Sequence, residues 1–360
     1  MAKEKVMESQ STLDVIVPVF NTPISDLERC FNSIKVQSYK KWKCLIVNSS
    51  TEREVIHFID IFCEDNDQFT TIKVKNKGAS GNRNKALEFC SSEFVTFIDS
   101  DDEIEPTFFE EAIEVTKKDE QVDIVMGLTS EINERQEVQK KQESIVIENY
   151  EEKNELLSYL IAGLSNNGTR HLNGILVGRV YPKIIRTDLA KNVKFRNEII
   201  IHEDNIFSFE TFEKARKIIV INKIFYKYYK NGYSITNSKT YDEFENQKLI
   251  NEIQFSKQLI EVVKKSKYKI SESALGIRLA NNVLNYIYGI YDWKSTNENI
   301  KLMLKSGILY SIPKAEDYSQ YSLNVKQKSL LLSNGKLRNF IFVTMVMLRT
   351  VKLLMGKLTL

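Results

Sequence analysis

Long apolar runs are missing from this 360-residue chain. A bilayer-spanning helix needs about 20 consecutive apolar residues, and even the most apolar stretch, near the C-terminus, is interrupted by cations. Proline and glycine are scarce, at 5 and 13 residues, which excludes a collagen-like or low-complexity chain and favours a packed globule. The four cysteines, Cys30, Cys44, Cys63 and Cys90, lie far apart with no CxxC and no histidine at metal spacing. They read as small core residues in a reducing compartment rather than as a disulfide framework or a zinc site. An excess of one charge is absent too, since 51 basic and 48 acidic residues leave a net +3. With no basic-aromatic module either, nucleic acid is excluded as a partner. Residues 1–10 are polar and carry no apolar h-region, so no secretory leader is expected and the catalytic part is expected in the cytoplasm.

What the chain does have is an alternation of apolar runs and helical stripes. Leu13 to Phe20 predicts a fully buried parallel strand. Pro23 and Asp26 then open a helix with Leu27, Cys30, Phe31 and Ile34 on one face. A strand over Lys43 to Val47, a helix over Glu52 to Cys63 and a short strand around Ile72 and Val74 follow. Asn76 to Gly81 reads as a break, Asn82 to Phe89 as a helix, and Phe94 to Ile98 as a fourth strand. Strand–helix alternation of this kind predicts an α/β protein with a Rossmann-like half.

The fourth strand runs into Asp99, Ser100, Asp101 and Asp102. Strand C-termini are where open α/β sheets bind ligands, and crowded carboxylates repel each other unless a cation joins them. Hard oxygen ligands suit Mg²⁺ or Mn²⁺, with phosphate oxygens completing the shell. An EF-hand is excluded because the turn position that needs glycine holds Ile104. The competing reading of the cluster is a solvated turn before a helix at Pro106.

Four motifs in order, Val17 to Asn21, the polar break after Val47, Gly78 to Asn84 and Phe97 to Asp102, resemble the GT-A domain of family-2 inverting glycosyltransferases. The likeness covers about two-thirds of the chain, from Thr12 to Ser234. It implies a GT-A Rossmann-like mixed sheet flanked by helices, a UDP-linked nucleotide-sugar donor, and a Mn²⁺ or Mg²⁺ cofactor. It further implies that Pro18, Phe20 and Asn21 line the base pocket, that Arg83 lies against the nucleotide or its diphosphate, and that Ser100 borders the nucleotide. Asp101 would bind the metal directly, and Asp99 the ribose or the metal through water. One position departs from the family pattern. Asn48 stands where an acid usually accepts a hydrogen bond from uracil, and an amide accepts without charge assistance.

Further on, Pro106 to Val115 predicts a helix and Asp123 to Met126 a strand. Glu131 to Lys153, dense in charge, predicts an edge segment, and Leu156 to Leu164 a helix. Gly178 to Lys183 is similar to the family's acceptor-side segment, which points to Arg179. Ile199, Ile200 and Ile201 read as a strand end delivering His202, Glu203 and Asp204 to the start of a helix. Asp204 suits a helix N-cap. The resemblance implies instead the catalytic base that takes the acceptor hydroxyl proton, with Glu203 orienting it and His202 on the acceptor side. Ile218 to Tyr229 predicts a last strand pair, ending at Gly232 to Thr236.

The expected organisation is a polar tail over 1–11, the glycosyltransferase domain over 12–238, a helical C-terminal region over 239–335 and an amphipathic helix over 336–360. In the helical region Leu249, Ile253, Ile260 and Val263 form one stripe and Leu275, Leu279, Val283, Ile287 and Ile290 another. Along residues 337–355, Arg338, Arg349 and Lys352 fall within roughly 60° of each other on a helix, with apolar residues around the rest. That pattern describes a helix lying on the inner face of the cell membrane, with a core or dimerisation helix as the competing reading. The function expected is sugar transfer to a glycan or lipid-linked acceptor in surface-polysaccharide synthesis. The alternatives are a nucleotidyltransferase, against which the absence of a Gly-rich loop after the first strand counts, or a noncatalytic membrane-associated partner. Sugar, linkage and oligomeric state are not encoded in any motif.

Overall fold

The computed structural model describes residues 12–75, 78–131, 144–163, 177–230, 245–288, 296–313, 330 and 335–358. They form two compact units that interleave along the chain. The first comprises Met1–Glu148, Ile175–Asn197 and Lys214–Lys230, and the second Asn149–Gly174, Glu198–Glu213 and Asn231–Leu360.

The first unit is a mixed sheet of nine described strands, in the order β3-β2-β1-β4-β8-β6-β9-β5 with β7 beside β9. Its parallel half is built from β1 (Leu13–Val19), β2 (Trp42–Asn48), β3 (Phe69–Lys73) and β4 (Phe94–Phe97), connected by α1 (Ile24–Lys35), α2 (Arg53–Glu64) and α3 (Gly78–Phe89). β1 lies between β2 and β4, parallel to both, and its side chains are almost entirely buried, as a central strand covered on both faces requires. The one acid in β1, Asp14, is fully buried and accepts from the Ser91 and Ser92 amides at 2.7 and 2.9 Å and from Ser92 Oγ at 2.7 Å. It fastens the turn that leads into β4.

Three boundaries differ from the sequence expectation. β3 begins at Phe69, three residues before Ile72, because Phe69 packs edge-on against Trp42 and Phe62, with ring centroids 5.4 and 5.0 Å apart. α3 begins at Gly78, so the expected break is already its first turn, and Ser80, Gly81, Asn82 and Arg83 are all buried there. The expected strand pair at Ile218 to Tyr229 is a single strand, β9 (Lys217–Tyr228).

The antiparallel half adds β5 (Glu103–Ile104), β6 (Val122–Glu131), β7 (Ile145–Ile147), β8 (Lys183–Arg186) and β9, with α4 (Phe108–Lys118) and α6 (Thr187–Val193) packed alongside. β9 runs parallel to β6 through several register shifts and antiparallel to β7 at one end and β5 at the other. Gly127 on β6 is required for this, since a Cβ there would stand 2.3 Å from the Phe225 ring.

The second unit is helical: α5 (Tyr150–Ala162), most of α7 (Glu203–Lys214), α8 (Glu245–Lys265), α9 (Glu272–Tyr288), α10 (Thr296–Ser306), α11 (Ile308–Ser311) and α12 (Gly335–Leu358). α5 grows out of the charged stretch through a capping box in which Asn149 and Glu152 exchange hydrogen bonds, satisfying two orphan amides of the first turn. On α8 the buried apolar set is Leu249, Ile253, Phe255, Leu259 and Val262; Ile260 and Val263 of the expected stripe are half-exposed. Leu275, Leu279 and Val283 on α9 are buried as expected. The segment 232–236, Ile290 and the side chains of Ile287, Arg349 and Lys352 lie outside the described residues. α12 buries Phe342 and Val346 and exposes Phe340, Met347 and Leu348. Arg338 does not join an exposed cationic stripe. It is buried and donates to the carbonyls of Leu330, Leu309 and Ile312 at 2.7, 3.3 and 2.5 Å. No described helix is long and apolar enough to cross a membrane.

Candidate functional site

Three chain segments meet where β1, β2 and β4 end. Asn21, just past β1, adopts a left-handed backbone with φ +50°, a conformation its short polar side chain tolerates. Its backbone amide donates to Ser50 Oγ at 3.0 Å, and its Oδ1 accepts from the Thr51 and Glu52 amides at 2.8 and 3.2 Å. The loops after β1 and β2 are thereby locked together. Asn48 is buried at the end of β2, and its Oδ1 accepts from the Ser50 amide at 3.0 Å. One lone pair of that oxygen is thus engaged in its own turn, leaving the other for a ligand donor. Pro18 lies within β1, and Phe20 presents a half-exposed ring beside this turn. Ser100 is buried and shares a 2.7 Å hydrogen bond with Thr22, which ties the acid turn to the loop after β1.

The acid turn follows β4 directly. Arg83 is buried on α3 and donates from Nη2 to Asp99 Oδ1 at 2.8 Å, while its guanidinium lies 5.4 Å from the Phe195 ring centroid. Arg29, on α1, donates to the Asp101 carbonyl, pairs with Asp26 at 2.8 Å and stacks 3.8 Å over the Tyr229 ring. Asp102 is fully buried. It accepts from Tyr226 Oη at 2.7 Å and from the Tyr229 amide at 2.9 Å. Burial, reinforced by the charges of Asp99 and Asp101, pushes its carboxyl up to about 8. Tyr226 Oη also accepts the Asp99 amide at 3.1 Å, and the Tyr226 ring stacks on Tyr181 at 3.9 Å.

The three acids therefore differ in what they can do. Asp102 frames the turn from inside, whereas Asp99 and Asp101 are half-buried, with Asp99 Oδ1 held by Arg83. Among the described residues no three His, Cys, Asp or Glu side chains form a metal cage. Two carboxylates on one turn at a strand end fit a divalent cation that keeps waters and phosphate oxygens in its shell. At the first turn of α3, Asn82 Nδ2 donates to Ser49 Oγ at 2.9 Å, while Asn82 Oδ1 and Ser80 Oγ are buried without a hydrogen-bond partner. Polar atoms buried in this way call for a ligand or a water, and a helix N-terminus favours an anion.

The second acid pair belongs to the helical unit. Glu203 and Asp204 open α7, each 8 % exposed. The isoleucines before them form no strand. The segment is fixed instead by Asn251 of α8, whose Oδ1 accepts from the Ile200 and Ile201 amides at 2.7 and 3.2 Å and whose Nδ2 donates to the Ile201 carbonyl at 3.2 Å. His202, between this clamp and α7, has φ +76°. Arg179 is exposed, with its guanidinium 6.0 Å from the Tyr228 ring centroid. Arg29, Tyr226 and Asn251 have no signal in the sequence, because each acts on a partner far along the chain.

A parallel half-sheet ending in an acid turn and extended by antiparallel strands defines an α/β fold of the GT-A type. Residues 14–174 match the model described as glycosyl transferase family 2. Glycosyltransferase GlyA of Streptococcus pneumoniae is 28 % identical over 220 residues, which is 60 % of this chain and 30 % of that protein. The GalNAc(5)-diNAcBac-PP-undecaprenol beta-1,3-glucosyltransferase of Campylobacter jejuni is 33 % identical over 94 residues, 26 % of this chain and 30 % of its own. The chain spans 33 % and 60 % of two further glycosyltransferase relatives. Among solved structures, S. aureus TarS 1-349 in complex with UDP-GlcNAc superposes with a TM-score of 0.62 at 17 % identity, over 93 % of this chain and 90 % of that one. This likeness establishes the shared fold.

Proposed function

We propose that the chain is a metal-dependent inverting glycosyltransferase that moves a sugar from a UDP-linked donor to a hydroxyl of a glycan or lipid-linked acceptor in surface-polysaccharide synthesis. The observation that carries this reading is the acid turn after β4, framed by Arg83, Arg29 and Tyr226 within a family-2 domain. A UDP donor is supported by the fold shared with TarS, which was solved with UDP-GlcNAc. A lipid-linked acceptor is supported by the Campylobacter relative, whose name describes one.

In this reading the Phe20 ring, with Pro18, Asn21 and Asn48, receives the base, and Ser100 keeps the acid turn in register beside it. The first turn of α3, with the Ser80 hydroxyl and Arg83, takes the diphosphate. Asp101 and Asp99 hold Mn²⁺ or Mg²⁺, which when bound offsets the charge that builds on the leaving diphosphate. Asp204 takes the acceptor hydroxyl proton as the sugar carbon is attacked, Glu203 orients it, and Arg179 contacts the acceptor. Phe340, Met347 and Leu348 rest on the inner leaflet of the membrane. Leaving out the buried Arg338, residues 301–360 hold nine Lys and Arg against two acids, which complements anionic lipids.

Calorimetric titration of UDP, with and without Mn²⁺, tests the donor site without knowledge of the acceptor. Metal-dependent binding that disappears in Asp101→Ala is the expected result. Equal binding by that variant refutes the metal role, and no UDP binding by the wild type refutes the UDP assignment.

A further inference from the structure

One carboxylate in the helical unit has no part in the reading above. Glu252, on α8, is 4 % exposed, and its Oε2 has no hydrogen-bond partner. Its Oε1 lies 3.5 Å from His202 Nε2. A carboxylate buried this deeply is costly unless a cation or a proton donor meets it, and among the described residues the imidazole does so.

His202 is itself out of place by backbone criteria. Its φ of +76° is a region that glycine enters freely and a histidine enters at a cost. The turn has no need of the ring to hold it, because Asn251 already binds both neighbouring amides. The side chain nevertheless keeps 30 % of its surface open, with the Phe255 ring centroid 4.9 Å from its own. A strained residue, oriented by a buried acid and still open to solvent, is the arrangement of a positioned polar group rather than of a packing one.

We propose that Glu252 is the positioning residue for His202, and that His202 binds a hydroxyl of the acceptor glycan one residue ahead of the Glu203–Asp204 pair. The proposal rests on the transferase reading. Glu252 keeps the imidazole proton on Nε2, so that Nδ1 carries the lone pair and accepts from the sugar O–H. Asn251 and Glu252, adjacent on α8, then have separate tasks: the first sets the backbone of the turn, the second sets the ring.

His202→Gly and Glu252→Gln test this. Glycine removes the ring at a position where glycine is unstrained, but it also strips the buried Glu252 carboxylate of its partner, so circular dichroism and UDP binding, not the melting temperature, report that the variant is folded. UDP release from UDP-GlcNAc is measured in buffer, where water is the acceptor, and with a panel of p-nitrophenyl glycosides. In His202→Gly the glycoside KM is expected to rise about tenfold, the loss of one hydrogen bond, while UDP binding by calorimetry holds. Glu252→Gln shifts KM in the same direction. In the spectrum of ¹⁵N-histidine-labelled protein the single Nε2–H tautomer of His202 gives way to a mixture in that variant. Unchanged glycoside dependence in His202→Gly, or an unchanged tautomer in Glu252→Gln, overturns the proposal. A wild type that releases no UDP from any UDP-sugar rejects the transferase reading instead, and the tautomer then decides the Glu252–His202 pair alone.

Discussion

Tyr226→Phe removes one oxygen atom and leaves the rest of its surroundings intact. The ring stack on Tyr181, 3.9 Å between centroids and tilted by 9°, is available to phenylalanine as well. What disappears is the hydroxyl that accepts the Asp99 amide at 3.1 Å and donates to Asp102 Oδ2 at 2.7 Å. Burial and the neighbouring acids push Asp102 towards its neutral form, so its bond to Oη counts as a neutral one, about 1 kcal/mol. The Asp99 amide faces a hydroxyl on a fully buried residue, where water does not replace it, and a stranded donor of this kind costs about 1–3 kcal/mol. The sum is about 2–4 kcal/mol, read as a shift of the urea midpoint at unchanged slope. Because both partners lie on the acid turn, the loss is expected to extend to function, with Mn²⁺-dependent UDP binding weakened while the fold persists. A midpoint shift worth less than about 0.5 kcal/mol together with wild-type UDP affinity would refute the claim that Tyr226 frames the turn.

Two further outcomes follow from buried polar groups. Asp123 accepts from the Arg216 amide at 2.7 Å and from the Arg216 and Arg186 guanidinium groups at 2.7 and 3.0 Å. Burial works against its charge, but the bonds from Arg216 and Arg186 outweigh that and hold the carboxyl below its ordinary value. The unfolded acid, near about 3.9, therefore takes up its proton before the folded one does. The stabilisation is present above the unfolded value and lost as the pH falls through the folded one. Asp123→Asn is expected to cost about 1–2 kcal/mol near neutrality, kept low because Arg216 is largely exposed, and to flatten the fall in melting temperature below about pH 4. For Arg338→Met the expectation is a loss of about 2–4 kcal/mol, since the carbonyls of Leu330, Leu309 and Ile312 are left without their donor. A variant as stable as the wild type in chemical denaturation would contradict this.

What could be seen in the sequence is what depends on neighbours along the chain. The apolar run of β1 and the acids after β4 announce themselves because a strand covered on both faces has few other compositions, and because a carboxylate turn follows its strand directly. Distance along the chain hides the rest. Arg29 reaches the Asp101 carbonyl across 72 positions, Tyr226 reaches Asp102 across 124, and Asn251 reaches Ile200 across 51. None of the three stands in a motif, since an arginine on an amphipathic helix or a tyrosine in a strand has many commoner fates. The same cause explains the misplaced boundaries. Phe69 begins β3 because of rings on other elements, and the glycines before Asn82 become helix because the turn around them is buried. The isoleucines before His202 look like a strand by composition, yet they have no partner strand and are held by one asparagine side chain. Composition reported the apolar character there correctly, and only the clamp on α8 reveals that a turn with a left-handed histidine, rather than a strand end, precedes the acid pair.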